Sequence, residues 1–296
     1  MVPSGYDPAA RFRDMPECVP VYREEIIDYF LERELTMPRD PEYLTVQQSE
    51  VTERMRRILF DWLVDVCIKF KLHPETFYLT CNIVDRYLML AKVSRATLQL
   101  VGITAVLIAS KHEEIWPPEV KECVYITANS YAREEILRME RDMADSLQFR
   151  FAVPTMYPIL THMLESVRAN RALEHLAHYY LESSVLCYAL LQFVPSRVAY
   201  GALYLAEMTL LKQEYDAQQQ PLSSNDLESI IKPRVWTPYH VASSRQVAFD
   251  DVRAAAGVLL HYLKTTLNDR YCAVMRKYST PQFMEVSRIY ALPDFV

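Results

Sequence analysis

The chain has 296 residues, of which 51% are hydrophobic and 24% charged, with only 4 glycines and a net charge of −6. So few glycines argue against phosphate-cradling loops, dinucleotide-binding turns and chains of tight β-hairpins. The negative balance gives no general affinity for nucleic acid or an anionic membrane surface. Cys18, Cys67, Cys81, Cys123, Cys187 and Cys272 form no C-x-x-C pair and mostly fall inside apolar helical patterns. They read as reduced core thiols in a cytosolic or nuclear protein. The longest nearly apolar run, Leu98 to Ser110, is too short to span a bilayer, and no signal peptide opens the chain. The expectation is a soluble intracellular protein of the all-α class.

Residues 1–19 hold prolines and no period, and read as an irregular arm. Pro20 precedes an amphipathic helix over Tyr22 to Leu35, whose Tyr22, Ile26, Tyr29 and Phe30 share one face. Pro38 and Pro41 end it and begin a loop through Gln48. This helix either packs back on its own domain or lies in a partner's groove, and the pattern leaves both open.

Ser49 or Thr52 caps the next helix, Arg54 to Phe70, reading RMRRILFDWLVDVCIKF. Met55, Ile58, Leu59, Trp62 and Val66 make one apolar stripe on it, and Phe60, Leu63, Val64 and Cys67 make a neighbouring one. Together they cover more of the circumference than the single stripe of an ordinary surface helix. Arg56 falls between the stripes, where a lone charge is costly unless another group answers it.

Pro74 opens the helix Glu75 to Ala91, at a position where its missing N–H does no harm. Arg95 to Glu114 is a third, almost wholly apolar helix, stopped by Trp116-Pro117-Pro118. Helices over Glu119 to Thr127 and Ala132 to Phe149 complete a unit of ordinary domain size, roughly a hundred residues. Val153-Pro154 is the expected joint. Beyond it, helices are predicted over Thr155–Val167, Arg171–Phe193, Ser196–Lys212, Val247–Lys264 and Asp269–Lys277. Each half centres on an apolar helix with one glycine, at Val101-Gly102-Ile103 and Tyr200-Gly201-Ala202, which suggests a weak internal duplication. The polar stretch Gln213 to Trp236 reads as a long surface loop.

Three further charges interrupt apolar stripes: Asp85, Lys111 and Glu140. With Arg56 they are two bases and two acids, able to neutralise one another in pairs; losing one partner of a buried pair costs roughly 3–5 kcal/mol. Sequence does not fix the pairing. We assign Arg56 to Asp85 inside the domain and Lys111 to Glu140 near a surface, either as struts that hold helices in register or as a functional group.

The segments MRRILFDWLVDV (Met55–Val66), VDRYL (Val84–Leu88), LQLVGITAVLIASKHEEIWPPEV (Leu98–Val120), VYIT (Val124–Thr127), LRMERDM (Leu137–Met143) and LQFRFAVPT (Leu147–Thr155) closely resemble the first cyclin box. The A- and B-type mitotic cyclins are the most similar group. The resemblance runs with gaps from about Tyr22 to Ser287. It thins in the second half, where PSRVAYGALYLA and MRKYST still match the second box. It implies tandem five-helix boxes at residues 49–152 and 153–277, an N-terminal arm and helix at 1–48 and a tail at 278–296.

The resemblance further implies a non-catalytic regulatory subunit that forms a heterodimer with a cyclin-dependent protein kinase in the nucleus and cytoplasm, and needs no cofactor. Lys111 and Glu140 then grip the kinase, with Leu107, Ile108, His112, Ala144 and Phe151 around them and Tyr22, Ile26 and Tyr29 as a further contact. Arg56 and Asp85 form an internal bridge. Met55, Ile58, Leu59, Trp62, Leu98 and Gln99 match the hydrophobic patch that docks R-x-L substrates or inhibitors. Asp65 stands where the family usually has a glutamate of longer reach, and His112 where it commonly has phenylalanine, so that a titrating group enters the kinase contact. The usual destruction motif before the box is missing, since R-x-x-L occurs only inside helices, at Arg56–Leu59 and Arg95–Leu98.

His175 and His178 share a helix face but have no third candidate ligand nearby, so an ordinary half-exposed pair is expected rather than a metal site. Glu113-Glu114 and Glu24-Glu25 read as solvated helix charges. The rival readings are a transcription-type cyclin and a cyclin-fold general transcription factor. The latter predicts a basic surface, which the net charge opposes.

Overall fold

In the computed structural model the described residues are 22–37, 40–220, 223, 226, 229–230, 232–237, 247–265 and 272–294. The N-terminal arm, with Cys18, lies outside them. Every regular element among the described residues is helical. They fall into two compact units, neither continuous in sequence. One comprises residues 36–155 with Val185–Gln192; the other comprises the N-terminal helix, Met156–Ser184 and the chain from Phe193 onward.

The first of these units begins with a single turn, α2 (Tyr43–Val46; α1 belongs to the other unit and is described below), and then α3 (Glu53–Phe70). Of the two cap candidates it is Thr52 that serves, its hydroxyl accepting from the Met55 N–H, which satisfies one of the orphan donors at a helix start. α4 (Pro74–Leu90) carries its proline at the first position, and His73 accepts from the Glu75 N–H. α5 (Leu98–Glu113) is the centre: every residue from Leu100 to Ser110 is buried, and α3, α4 and α7 pack on it. A methyl placed on Gly102 would come within 2.7 Å of Leu59 Cδ1, so the glycine lets α3 approach closely. α6 (Val120–Ile126) and α7 (Arg133–Ser146) close the unit. α7 stops before the predicted Phe149 because Gln148 and Phe149 both adopt positive φ, 53° and 55°.

In the other unit α1 (Arg23–Glu34) packs on α8 (Met156–Ser166). Of the two alternatives for this helix, packing back is the arrangement seen. The buried face is not the one the spacing picked out: Ile27 and Glu34 are buried, while Tyr22 and Tyr29 are 57% and 55% exposed. Glu34 accepts from the backbone N–H of Ser196 at 2.8 Å and from its hydroxyl at 2.6 Å. A carboxylate there caps the start of α10 (Pro195–Ala217), where it meets the positive end of the helix dipole.

α9 (Arg171–Leu186) is shorter than predicted. The apolar run to Phe193 is not one helix, because α9 stops at Leu186 and a 3-10 turn covers Tyr188–Gln192. α10 is longer than predicted, and its last residues, Gln213–Ala217, are helical rather than loop. The Lys212–Asp216 pair at 2.6 Å, four residues apart, and Arg234 reaching Glu214 at 2.7 Å support this extension. A single turn, α11 (Lys232–Val235), follows. α12 (Phe249–Thr265) packs along α10, and Gly201 makes room for its backbone, since an added Cβ would lie 3.0 Å from Ala256 N. The chain ends in α13 (Ala273–Tyr278), a 3-10 turn at Pro281–Phe283 and α14 (Val286–Ile289); the expected start of the α13 helix, at Asp269, lies outside the described residues.

Cys67, Cys81, Cys123 and Cys187 are buried free thiols and Cys272 is half-buried. Burial pushes the Cys187 thiol up to about 11, so it stays protonated at neutral pH.

Glu114 is not the solvated charge expected. It accepts from the His73 N–H at 2.7 Å and the Thr76 hydroxyl at 2.5 Å, holding the start of α4. Beside it, burial first and then the Glu113 charge push the Glu75 carboxyl up to about 8, against two hydrogen bonds from Thr155. A carboxyl whose folded value is raised binds its proton more tightly in the folded than in the unfolded chain. Its contribution to stability is therefore full below about 4.5 and is lost as pH rises to about 8. Denaturant unfolding of wild type should weaken across this window, and Glu75→Gln should flatten the slope by up to about 1.4 kcal/mol per pH unit. An unchanged slope in the variant would show that Glu75 does not carry the effect.

Candidate functional site

The structure makes both pairings assigned from sequence, in different surroundings. Arg56 is 2% exposed. Its Nε and Nη2 donate to the two Asp85 oxygens, each at 2.7 Å, and Nη1 donates to the Val185 carbonyl at 3.1 Å. The guanidinium lies 4.1 Å from the centre of the Phe60 ring. Burial works against the Arg56 cation, but the Asp85 charge and hydrogen bonds more than offset it and hold its pKa above the ordinary value. The Tyr43 hydroxyl donates to Asp85 Oδ1 at 2.7 Å, and burial, then that charge, raises the Tyr43 pKa. Tyr188 stacks edge-on against Tyr43 and accepts from the Leu44 N–H. Arg56 thus ties α3 to α4, to the α2 segment and to the end of α9. Val185 is available because α9 ends one residue later, which leaves its carbonyl without a partner within the helix.

Lys111 and Glu140 meet at 2.5 Å, but their side chains are 49% and 20% exposed. They stand on the rim of a hollow of about 440 Å3 between the end of α5 and α7. Ile108, His112, Leu137, Arg141, Ala144, Phe149 and Phe151 complete its lining. Phe149 and Phe151 face each other edge-on, 6.2 Å apart. Leu107, expected beside the pair, is instead core, because α5 turns it inward. Leu137, Arg141 and Phe149 were missed by sequence reasoning. Leu137 lies three residues before Glu140 and Arg141 three before Ala144, so helix spacing pointed to them; Phe149 depends on the positive-φ turn after α7. His112 Nε2 lies 3.6 Å from Glu113 Oε1. Tyr22, Ile26 and Tyr29 are on α1, in the other compact unit.

The α3 stripe is divided. Ile58 is 57% exposed, Asp65 is exposed, and Met55, Trp62 and Gln99 are half-buried. Leu59 and Leu98, each 5% exposed, belong to the core, Leu59 being seated over Gly102. The seven proposed patch residues therefore do not form one exposed surface. Further along α3, Trp62, Asp65, Val66 and Lys69 line a separate depression of about 540 Å3 with Tyr125, Ile126, Ala128 and Asn129. Lys69 Nζ stands 5.0 Å over the Tyr125 ring.

His175 meets Phe283 and His178 meets Tyr157, so the two rings have different neighbours. Among the described residues no cluster of His, Cys, Asp and Glu is placed to hold a metal ion, and no helix is long and apolar enough to cross a membrane.

Among the described residues the chain is a helical protein of two units, each built round one apolar helix, and the first carries an exposed ion pair beside an apolar hollow. Residues 25–152 match the family of the cyclin N-terminal domain and residues 154–292 that of the cyclin C-terminal domain, so the chain belongs to the cyclin family. G2/mitotic-specific cyclin S13-7 of Glycine max is 40% identical over 235 residues, covering 79% of this chain and 83% of that protein. Cyclin-B1-3 of Arabidopsis thaliana is 44% identical over 184 residues, covering 62% of this chain, and the chain spans only 44% of that protein's length. The fold is shared with a viral cyclin from herpesvirus saimiri, with a TM-score of 0.56, 21% identity, and coverage of 78% of this chain and 96% of that one.

Removing one partner of the buried pair strands the other. Arg56→Ala and Asp85→Ala should each destabilise the chain by about 3–5 kcal/mol. The combined Arg56→Ala/Asp85→Ala should cost clearly less than the sum of the singles. Denaturant unfolding of all three variants gives the coupling, and additive losses would show that the pair is not a unit.

Proposed function

We propose that the chain is the regulatory subunit of a cyclin-dependent serine/threonine protein kinase in cell-cycle control, acting as a heterodimer in the nucleus and cytoplasm. The observation that carries this reading is the Lys111–Glu140 pair. An ion pair this exposed contributes about 0–1 kcal/mol to folding, so stability gives little reason for it, whereas its position on the rim of an apolar hollow suits a partner surface. The hollow offers Ile108, Ala144, Phe149 and Phe151 for apolar contact, and the pair offers both signs of charge to orient it.

The mechanism we infer is allosteric. The subunit binds the kinase state whose regulatory helix is turned in and whose activation segment is displaced, and supplies no catalytic group. Moving such an equilibrium from about 1:99 to 99:1 takes roughly 5.5 kcal/mol of differential affinity, which a hollow of this kind and its surroundings can provide.

We further propose that Met55, Ile58, Trp62 and Gln99, over a floor of Leu59 and Leu98, dock R-x-L segments of substrates or inhibitors. Asp65 answers the basic residue of the motif. Apolar side chains left half-exposed along one helix face favour such a role. The rival, a cyclin-fold transcription factor or transcription-type cyclin, predicts recovery with DNA or with the polymerase machinery instead.

A pull-down with mass spectrometry, comparing wild type with Lys111→Ala/Glu140→Ala, tests the grip. The double variant should keep its circular dichroism spectrum and lose kinase by about tenfold or more; equal recovery from both proteins would remove the assignment. Trp62→Ala should leave kinase activation on a substrate lacking R-x-L unchanged and lower kcat/KM for an R-x-L substrate by about tenfold or more. Equal loss on both substrates would count against docking.

A further inference from the structure

A third hollow, of about 540 Å3, is lined by Met275, Arg276, Ser279, Ser287 and Arg288. It gathers two guanidinium groups and two hydroxyls from α13 and α14. The Ser279 hydroxyl donates to the Arg276 carbonyl at 2.8 Å, and the Ser287 hydroxyl donates to the Met275 carbonyl at 3.0 Å. Arg288 is exposed and lies at the far wall. Nothing in the kinase-binding reading uses this place.

We propose that Ser279 is a phosphorylation site for an arginine-directed serine/threonine kinase, and that the phosphate, once attached, is held in this hollow by Arg276 and Arg288. The sequence Arg276-Lys277-Tyr278-Ser279 puts a guanidinium three residues before the acceptor, where an acidic subsite of such a kinase can take it bidentately. The Ser279 oxygen attacks the γ-phosphorus of ATP and its proton passes to the kinase base. The bond from the γ-phosphorus to the bridging oxygen breaks, and ADP leaves.

The surroundings suit both steps. A kinase needs its acceptor in an extended segment, and the elements here are six, three and four residues long, too short to be stable alone. Met284 and Glu285 add two successive positive φ angles, 54° and 53°. Ala273, Val274 and Tyr278 anchor α13 in the core, but residues 279–292, beginning with the half-buried Ser279, bury only Val286, so the segment from Ser279 onward opens at lower cost than the long helices. After transfer, a charge of about −1.5 to −2 stands at the C-terminal end of α13, where the helix dipole opposes it. Only nearby cations make it stable, and the hollow supplies two. The same spacing occurs at Arg33-Glu34-Leu35-Thr36 and at Arg234-Val235-Trp236-Thr237. In the first the intervening Glu34 is buried against Ser196, and in the second Arg234 is already paired with Glu214.

The test uses the full chain with a purified arginine-directed kinase and ATP, mapping the phosphate by mass spectrometry and titrating it by phosphorus NMR. Wild type should be labelled at Ser279, and Arg276→Ala should slow labelling by about tenfold or more through loss of the recognition contact. Arg288→Ala should be labelled at the wild-type rate. The second phosphate pKa in the wild-type protein should lie below the value of about 6 for a free phosphoserine by roughly half a unit or more, and Arg288→Ala should bring it back. No label at Ser279, label confined to Thr280, label on a peptide of residues 272–288 but not on the intact chain, or a phosphate that titrates as in the peptide would each overturn the proposal.

Discussion

The bidentate Arg56–Asp85 contact is the constraint on which the first unit depends. A guanidinium and a carboxylate buried together are tolerable only when each hydrogen-bonding position is answered. Here Asp85 receives both arms of Arg56 and the Tyr43 hydroxyl, while the remaining arm goes to Val185. That demand reaches well beyond the pair. It requires the α2 turn to present Tyr43, α3 and α4 to cross in one register, and the helix ending at Leu186 to stop where Val185 has a carbonyl to give. A hydrophobic contact in the same place would tolerate sliding by a fraction of a turn; a fork of fixed geometry does not.

The two ion pairs of this unit have the same chemistry and opposite consequences, and exposure separates them. Inside, desolvation makes the pair an all-or-none element whose loss is felt by the fold. On the rim of the hollow, water screens Lys111 and Glu140, and little folding energy depends on them. Under the proposed kinase-binding reading, removing them changes what the surface can recognise more than whether the surface exists. The same logic applies to α3, which contributes Leu59 and Val66 to the core and leaves Ile58 outside. One helix thus buries one face and leaves an apolar residue of the same stripe exposed.

Helical periodicity identified the all-α class, the central helices α5 and α10 and the odd placement of Arg56, because a charge in an apolar stripe is visible without a structure. The cyclin resemblance supplied the roles. Four things were not legible, for physical reasons. Leu59 and Ile58 are neighbours of similar hydrophobicity, and it is Leu59 that faces α5, where Gly102 leaves room for it. The run from Arg171 to Phe193 has helix-like composition throughout, yet the chain leaves the helix at Leu186, where a tertiary hydrogen bond competes for its last carbonyls. Gln213 to Ala217 looks like loop by polarity, but side-chain pairs at helical spacing hold it. Glu114 likewise reads as solvated until the start of α4 is placed beside it. Except at Gln213–Ala217, where a pair four residues apart helps, local pattern names the candidates and a partner distant in sequence chooses among them.

The two units solve one packing problem in two ways. Gly102 admits a leucine side chain from α3, whereas Gly201 admits the backbone of α12 itself, with Ala255 and Ala256 alongside. A side chain can rotate away from a small intrusion, but a backbone cannot, so the α10–α12 crossing is the stiffer of the two. α13 and the short elements after it lie outside that crossing; Lys277 ties α13 to Glu182, and Phe283 of the following turn stacks on Tyr278. A change of charge near Ser279 therefore acts on the part of the second unit that can yield, and leaves the packed helices in place.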